Sequence, residues 1–390
     1  IYIFGLPFFY LDSFSITKIY FFDFVLITFV VLIFTEIIFR LSYKKYHGVE
    51  FRFIKKIPFS KIYVEPHPYL PYIYKKNFDT APSEKYNYPL HENFYSAKLK
   101  TNNYRFINGV NGDRNIQMPK PKELFRINCL GASTTGNYLM RNNENYSYPL
   151  RLEKLLQNNL GTNYEVNNCG QGGYTSIEIL IRFCIQIIDT SPDLIILYHG
   201  YNDIRSYLTD NYKSDYSNSK KNLSNEYWKI KIYLKYFKYI KISLFYFLLN
   251  KWFNFNIKNS LLDIISNKKI NINIDHKDGL INFRRNIENL ILLCKAKNIN
   301  IILSTFCYYL HENIANDSLS KKYAFILNEE NKIIEELSNK YNITLVDNNK
   351  IIEKSSNNFV DSIHFTPEGM EKIAFNFYEV IRDKYKNESN

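Results

Sequence analysis

The stretch RINCLGASTTG, Arg126 to Gly136, decides the fold. Its first half, Arg126 to Leu130, carries Ile127, Cys129 and Leu130 in a short apolar run and reads as a strand. Its second half is small and hydroxyl-bearing, and reads as a tight turn leading into a helix. The same rhythm recurs to the C-terminus. Further strands are predicted at Glu165 to Cys169, Leu194 to His199, Ile299 to Ser304 and Ile343 to Asp347. Helices are predicted at Tyr148 to Asn159, Ser176 to Ile188, Ile281 to Ala296, Lys321 to Lys340 and Pro367 to Tyr385. Pro367 suits a first helical turn, where its missing N–H is not needed. Strands alternating with crossover helices indicate a parallel sheet covered on both faces. The expected fold is α/β, a flavodoxin-like three-layer α/β/α sandwich on a five-stranded parallel sheet. Ligands of such open sheets sit beyond the carboxyl ends of the strands, and that is where the unusual residues fall.

Four segments follow strand ends. In LGASTTG, Leu130 to Gly136, Ser133 would project from the sheet edge, with helix-start N–H groups beside it to meet developing negative charge. An ordinary turn and N-cap would look similar. In NNCGQGGYTS, Asn167 to Ser176, Gly173, or alternatively Gly172, lets the backbone approach a ligand and offer an N–H to an oxyanion. The spacing does not fit a dinucleotide fingerprint. In LYHGYNDIR, Leu197 to Arg205, the Asn202 side-chain amide can serve as a further oxyanion donor, Asp203 is expected to fix the loop, and His199 reads as structural. In FVDSIHFTPEG, Phe359 to Gly369, Asp361 and His364 are close enough for the carboxylate to accept from one ring nitrogen while the other faces Ser133. Thr366 is also placed to cap the last helix.

Each segment is ambiguous alone, but together they resemble the SGNH/GDSL hydrolase family, which carries Ser, Gly, Asn and His in this chain order with an Asp shortly before the His. The resemblance spans residues 100 to 385. It implies Ser133 as nucleophile, His364 as base and Asp361 as its orienting acid. It also implies the Ser133 N–H, the Gly173 N–H and the Asn202 amide as an oxyanion hole. One departure is Ala132, where many members carry Asp between the Gly and the Ser; that Asp takes no part in proton transfer. The implied activity is hydrolysis of an acyl ester, O-acetyl or lipid acyl, through an acyl-enzyme, on an acylated carbohydrate or lipid. Two alternatives stay open: an O-acyltransferase of a cell-surface glycan, and a non-catalytic membrane-bound protein that holds a glycan or lipid. No metal or organic cofactor is implied.

On the N-terminal side, residues 46 to 122 are rich in Pro, Tyr and Asn with little periodicity, and read as an irregular connector packed over the hydrolase domain at 123–390. Residues 1 to 45 read as a membrane anchor. Ile19 to Phe39 is an apolar run whose only formal charges are Asp23 and Glu36, long enough as a helix to cross a bilayer core of about 30 Å; a buried core helix is the alternative. Lysine and arginine are commoner after the run than before it, which favours a cytoplasmic domain. The resemblance to membrane-tethered relatives favours an extracytoplasmic one, and that side is expected. An insertion at 206–280 includes the aromatic, lysine-rich run Trp228 to Phe253, which reads as a lid or as a membrane-contact element.

The net charge of +12 suits any polyanion, but the lysines are scattered and join no nucleic-acid module, so no nucleic-acid partner is expected. Five cysteines, Cys129, Cys169, Cys184, Cys294 and Cys307, are too few and too dispersed for a disulfide framework or a zinc site, and most are expected to be buried thiols.

Overall fold

The computed structural model describes residues 16–47, 63–79, 95–96, 99–108, 114–136, 139–141, 144–145, 147–219 and 270–385. The run Trp228 to Phe253 lies outside them. The chain divides into two compact units, Ile1–Ile57 with Ile232–Ser260, and Pro58–Lys231 with Leu261–Asn390.

In the first unit, helix α1 spans Ile16–His47. Phe24, Leu26, Phe29 and Phe34 on it are exposed. Among the described residues no helix is long and apolar enough to cross a membrane.

In the second unit, β1 (Val64–Glu65) and β2 (Ile73–Tyr74) form an antiparallel pair. β3 (Tyr95–Ser96) comes next, and then β4 (Phe125–Gly131) and the short α2 (Ser133–Gly136). β5 (Leu139–Arg141) and β6 (Glu144–Asn145) complete a three-stranded antiparallel sheet with β3. The remaining elements are α3 (Tyr148–Leu160), β7 (Tyr164–Asn168), α4 (Ser176–Arg182), β8 (Leu194–Tyr198) and α5 (Asn202–Tyr207). They are followed by α6 (Lys277–Ala296), β9 (Asn300–Ser304), α7 (Ser318–Tyr341), β10 (Thr344–Val346), α8 (Asn348–Ile351) and α9 (Pro367–Tyr385).

The main sheet has the order β10-β9-β8-β4-β7 with every pair parallel. Counted along the chain this is 2-1-3-4-5, the flavodoxin-like order. The first crossover runs one way along the sheet and the rest run the other way. Right-handed connections therefore put α3 on one face and α4, α6 and α7 on the opposite one. The strand order reverses between β4 and β8, which opens a crevice beyond their carboxyl ends. β8 is the central strand, and all five of its residues, LIILY, are buried, as expected of a parallel strand covered on both faces.

Buried polarity in the sheet is paired. The wholly buried Arg126 donates to Glu165 Oε1 at 2.5 Å and to the Gln117 carbonyl at 3.1 Å, and it also reaches the Thr190 carbonyl. Asn167 donates to Asn128 Oδ1 and Glu165 Oε1, both at 2.9 Å.

Several boundaries differ from the sequence expectation: α6 starts four residues and α7 three residues earlier than expected. The helix expected over Ser176 to Ile188 is α-helical only to Arg182 and continues as a π turn, Phe183–Ile187. Across that wider turn the buried Arg182 holds Gln186 Oε1 at 3.0 Å and the Cys169 carbonyl at 2.8 Å. β10, at the sheet edge, is only three residues long. The described parts of the 46–122 segment are less irregular than their composition suggests. Leu70, Tyr72, Ile73, Tyr74, Leu99 and Phe106 are buried in the same core as the sheet, and Ile107 N–H donates to the Asn168 carbonyl at 2.9 Å, at the end of the outer edge of β7.

Removing one partner of a buried ion pair strands the other charge. Glu165→Ala is therefore expected to destabilise the fold by about 3–5 kcal/mol, read as a lower urea midpoint at unchanged m-value.

Candidate active site

Ser133 opens α2 directly beyond β4, and the turn is held by Gly136 N–H donating to the Ala132 carbonyl at 2.8 Å. The neighbouring turn after β7 is pressed against it. A Cβ on Gly170 would lie 2.2 Å from Gly136 N, so only glycine permits this approach. Gln171 N–H donates to the Gly131 carbonyl at 3.1 Å and ties the two turns together.

From the far end of the chain comes the loop 359–365. Phe359 and Phe365 form an antiparallel bridge with ring centroids 4.5 Å apart, and Val360 N–H donates to the His364 carbonyl at 2.9 Å. The loop so closed aims its imidazole at the serine. His364 Nε2 is 2.9 Å from Ser133 Oγ, and His364 Nδ1 is 2.7 Å from Asp361 Oδ2. Asp361 Oδ1 accepts the N–H groups of Ile363 and His364, each at 2.8 Å. A carboxylate only accepts, so Nδ1 carries the proton and Nε2 is left to accept from the serine hydroxyl. Burial works to raise the Asp361 carboxyl. The charge and hydrogen bond of His364, with the backbone donors, outweigh it, and the net shift is downward. Behind the loop, Thr366 Oγ1 accepts Gly369 N–H at 3.1 Å and caps α9.

The two other strand-end segments lie together. Gly173 has φ +77°, and Asn202 Nδ2 donates to the Tyr174 carbonyl at 2.9 Å, which leaves its second amide hydrogen for another acceptor. Asp203, wholly buried, accepts Ser176 N–H at 3.0 Å, Ser176 Oγ at 2.6 Å and Tyr216 Oη at 2.9 Å, and its Oδ2 is 2.6 Å from His199 Nε2. His199 thus belongs to the scaffold beneath the site. Together, Ser133, Asp361 and His364 form one hydrogen-bonded chain, while Gly173 and Asn202 flank Tyr174 on a second, adjoining pair of loops.

Two features have no counterpart in the sequence reading. Tyr201 has φ 57° and ψ −54°, and Asn202 N–H donates to the Gly200 carbonyl at 2.6 Å. That is a γ-turn with positive φ, costing about 1–3 kcal/mol for a bulky residue, and it sets the direction in which Asn202 leaves the sheet. The Tyr201 ring packs 5.0 Å from that of Tyr323 and 6.2 Å from that of Tyr308. The second feature is the pair Tyr72 and Tyr74, from the segment before the sheet, whose hydroxyls reach the glycine turn after β7. Tyrosine is so abundant here, 34 residues, that composition could not single these out.

The sequence profile of the GDSL-like lipase/acylhydrolase family matches residues 129–372, well over half of the chain. The chain belongs to this family. As a GDSL-like acylhydrolase it is an ester-hydrolysing serine hydrolase. Among solved structures it is similar to a GDSL-like lipase from Bacteroides thetaiotaomicron, at 16% identity over 68% of this chain and 92% of that one, with a TM-score of 0.41. A lipase/acylhydrolase from Enterococcus faecalis gives 15% identity over 67% of this chain and 97% of that one, with a TM-score of 0.41. An acetylxylan esterase from Geobacillus stearothermophilus gives 16% over 66% and 94%, with a TM-score of 0.40. No match is found among curated proteins.

Two titrations follow. Glu330, buried and accepting Tyr207 Oη at 3.0 Å, has its carboxyl raised well above the ordinary range, first by burial and then by the charge of Asp203. A raised native value disfavours folding only once the unfolded chain can ionise, so its cost is absent below about pH 4 and grows as pH rises. Glu330→Gln should therefore be more stable than the parent at pH 7, with the gap in urea unfolding closing towards pH 4. Asp361 has the opposite sign: its contribution is present above the ordinary carboxyl range and is lost as pH falls through the lowered native value. The destabilisation by Asp361→Asn should thus be larger at pH 7 than at pH 3.

Proposed function

We propose that this acylhydrolase is a serine esterase working through Ser133, His364 and Asp361. The single observation that carries the reading is the continuous hydrogen-bonded line from Ser133 Oγ to His364 Nε2 at 2.9 Å and from His364 Nδ1 to Asp361 Oδ2 at 2.7 Å. His364 takes the proton as the Ser133 oxygen attacks the ester carbonyl, and Asp361 holds the ring tautomer and stabilises the imidazolium that results. The carbonyl oxygen becomes an oxyanion facing the N–H groups of Ser133 and Gly173 and the free hydrogen of the Asn202 amide. His364 returns the proton to the departing alcohol, and an acyl-enzyme remains. Water, deprotonated by the same imidazole, then releases the carboxylic acid.

The substrate is an acyl ester, O-acetyl or lipid acyl, on a carbohydrate or lipid. Ile19 to Phe39 tethers the enzyme to a membrane with the catalytic unit on the extracytoplasmic side. The tether is supported by the uninterrupted 32-residue course of α1, and by the apolar side chains it leaves exposed.

A fluorophosphonate probe should label the full chain at Ser133, located by peptide mass spectrometry, and Ser133→Ala should take no label. His364→Ala should lower kcat on p-nitrophenyl acetate by at least about 10³-fold. Labelling elsewhere, or turnover that survives both substitutions, would remove the proposed chemistry.

A further inference from the structure

An oxyanion donor on a glycine turn must be aimed, and glycine has no side chain with which to fix itself. The peptide that matters joins Gly172 to Gly173: its N–H is the donor, and its C=O belongs to Gly172. In a planar trans peptide these two groups point in opposite directions, so whatever grips the carbonyl sets the direction of the N–H.

Tyr72 grips it. Its hydroxyl donates to the Gly172 carbonyl at 2.6 Å, from a side chain buried to 4% exposure. The fit is close enough that a Cβ on Gly173 would lie 2.5 Å from Tyr72 Oη. Tyr72 is itself anchored to the same turn, because its carbonyl accepts the Tyr174 hydroxyl and the two rings sit 5.6 Å apart. Tyr74 holds the turn from the next position. Its hydroxyl accepts Gly172 N–H at 3.2 Å, and its own N–H donates to Gln171 Oε1 at 3.2 Å. Both peptide groups of Gly172 are thus bound by tyrosine hydroxyls from a segment some hundred residues earlier, which lies before the family match begins at residue 129.

We propose that Tyr72 is the positioning residue of the Gly173 oxyanion donor. Its hydroxyl fixes the plane of the 172–173 peptide and, by drawing density from the carbonyl, makes the N–H on the other side a stronger donor. The inference rests on the serine-esterase reading above.

The test is Tyr72→Phe in the full chain. Loss of a whole oxyanion donor costs about 10²–10³ in kcat, and a donor that is present but loosely aimed should cost about tenfold. The expected result is that fall in kcat on p-nitrophenyl acetate with KM within about twofold. An equal weakening of phenylboronic acid should accompany it, since this inhibitor forms a tetrahedral anion on the serine. The melting temperature should be unchanged, and genetic incorporation of 4-aminophenylalanine at position 72, which keeps a donor there, should restore most of the rate. An unchanged kcat overturns the proposal. So does a fall in kcat with no change in boronate affinity, or one that follows a lowered melting temperature and is not rescued. A parent protein that neither turns over ester nor takes the fluorophosphonate at Ser133 removes the esterase reading, and this inference with it. An active parent matched by Tyr72→Phe removes this inference alone.

Discussion

The hydrogen bonds from Cys169 N–H to the Cys129 carbonyl and from Gln171 N–H to the Gly131 carbonyl carry the β4–β7 ladder past the end of β7. Ladder geometry is thereby imposed on residues that are no longer strand, and the two turns meet backbone to backbone at Gly136 and Gly170. Everything around Ser133 follows from that contact. The serine begins α2 directly beyond β4, and the glycine turn after β7 packs beside it. The strand order then places β8 on the other side of β4, so a third loop arrives from across the switch point.

Holding three loops in register takes more than the sheet. Beneath the crevice, Asp203 collects donors from Ser176, Tyr216 and His199, joining the start of α4 to the start of α5. Such a cluster is tolerable in a core because the buried carboxylate is surrounded by donors. Its neighbour Glu330 has its carboxyl pushed upward, first by burial and then by the charge of Asp203. The Tyr201 γ-turn is the local strain this arrangement supports.

Much of this was legible from residue order. All five strands of the main sheet could be placed to within a residue or two, because parallel strands are short apolar runs closed by small or polar residues. The Asp361/His364 spacing could be read because three residues in a tight loop suffice for a carboxylate to meet an imidazole. What could not be read are contacts between residues distant in sequence whose types are unremarkable. Nothing near Tyr72 marks its hydroxyl as directed at Gly172. The positive φ at Tyr201 is invisible because the residue is one that rarely adopts it. The π turn after Arg182 was hidden because helical periodicity does not distinguish a fifth residue in a turn from a fourth.

The bridge between Ile107 and Asn168 has a bearing on how this protein can be divided. A fragment trimmed to begin at β4 would keep all five parallel strands and the four strand-end segments, yet on the outer edge of β7 the Val166 and Asn168 carbonyls would lose Arg114 and Ile107, while α3 would still hold the Tyr164 carbonyl and the Val166 N–H. The glycine turn beyond that strand would also lose the Tyr72 and Tyr74 hydroxyls against which it rests. The segment before β4 belongs to the same compact unit and core as the sheet, and supplies both an edge contact and the support of that turn.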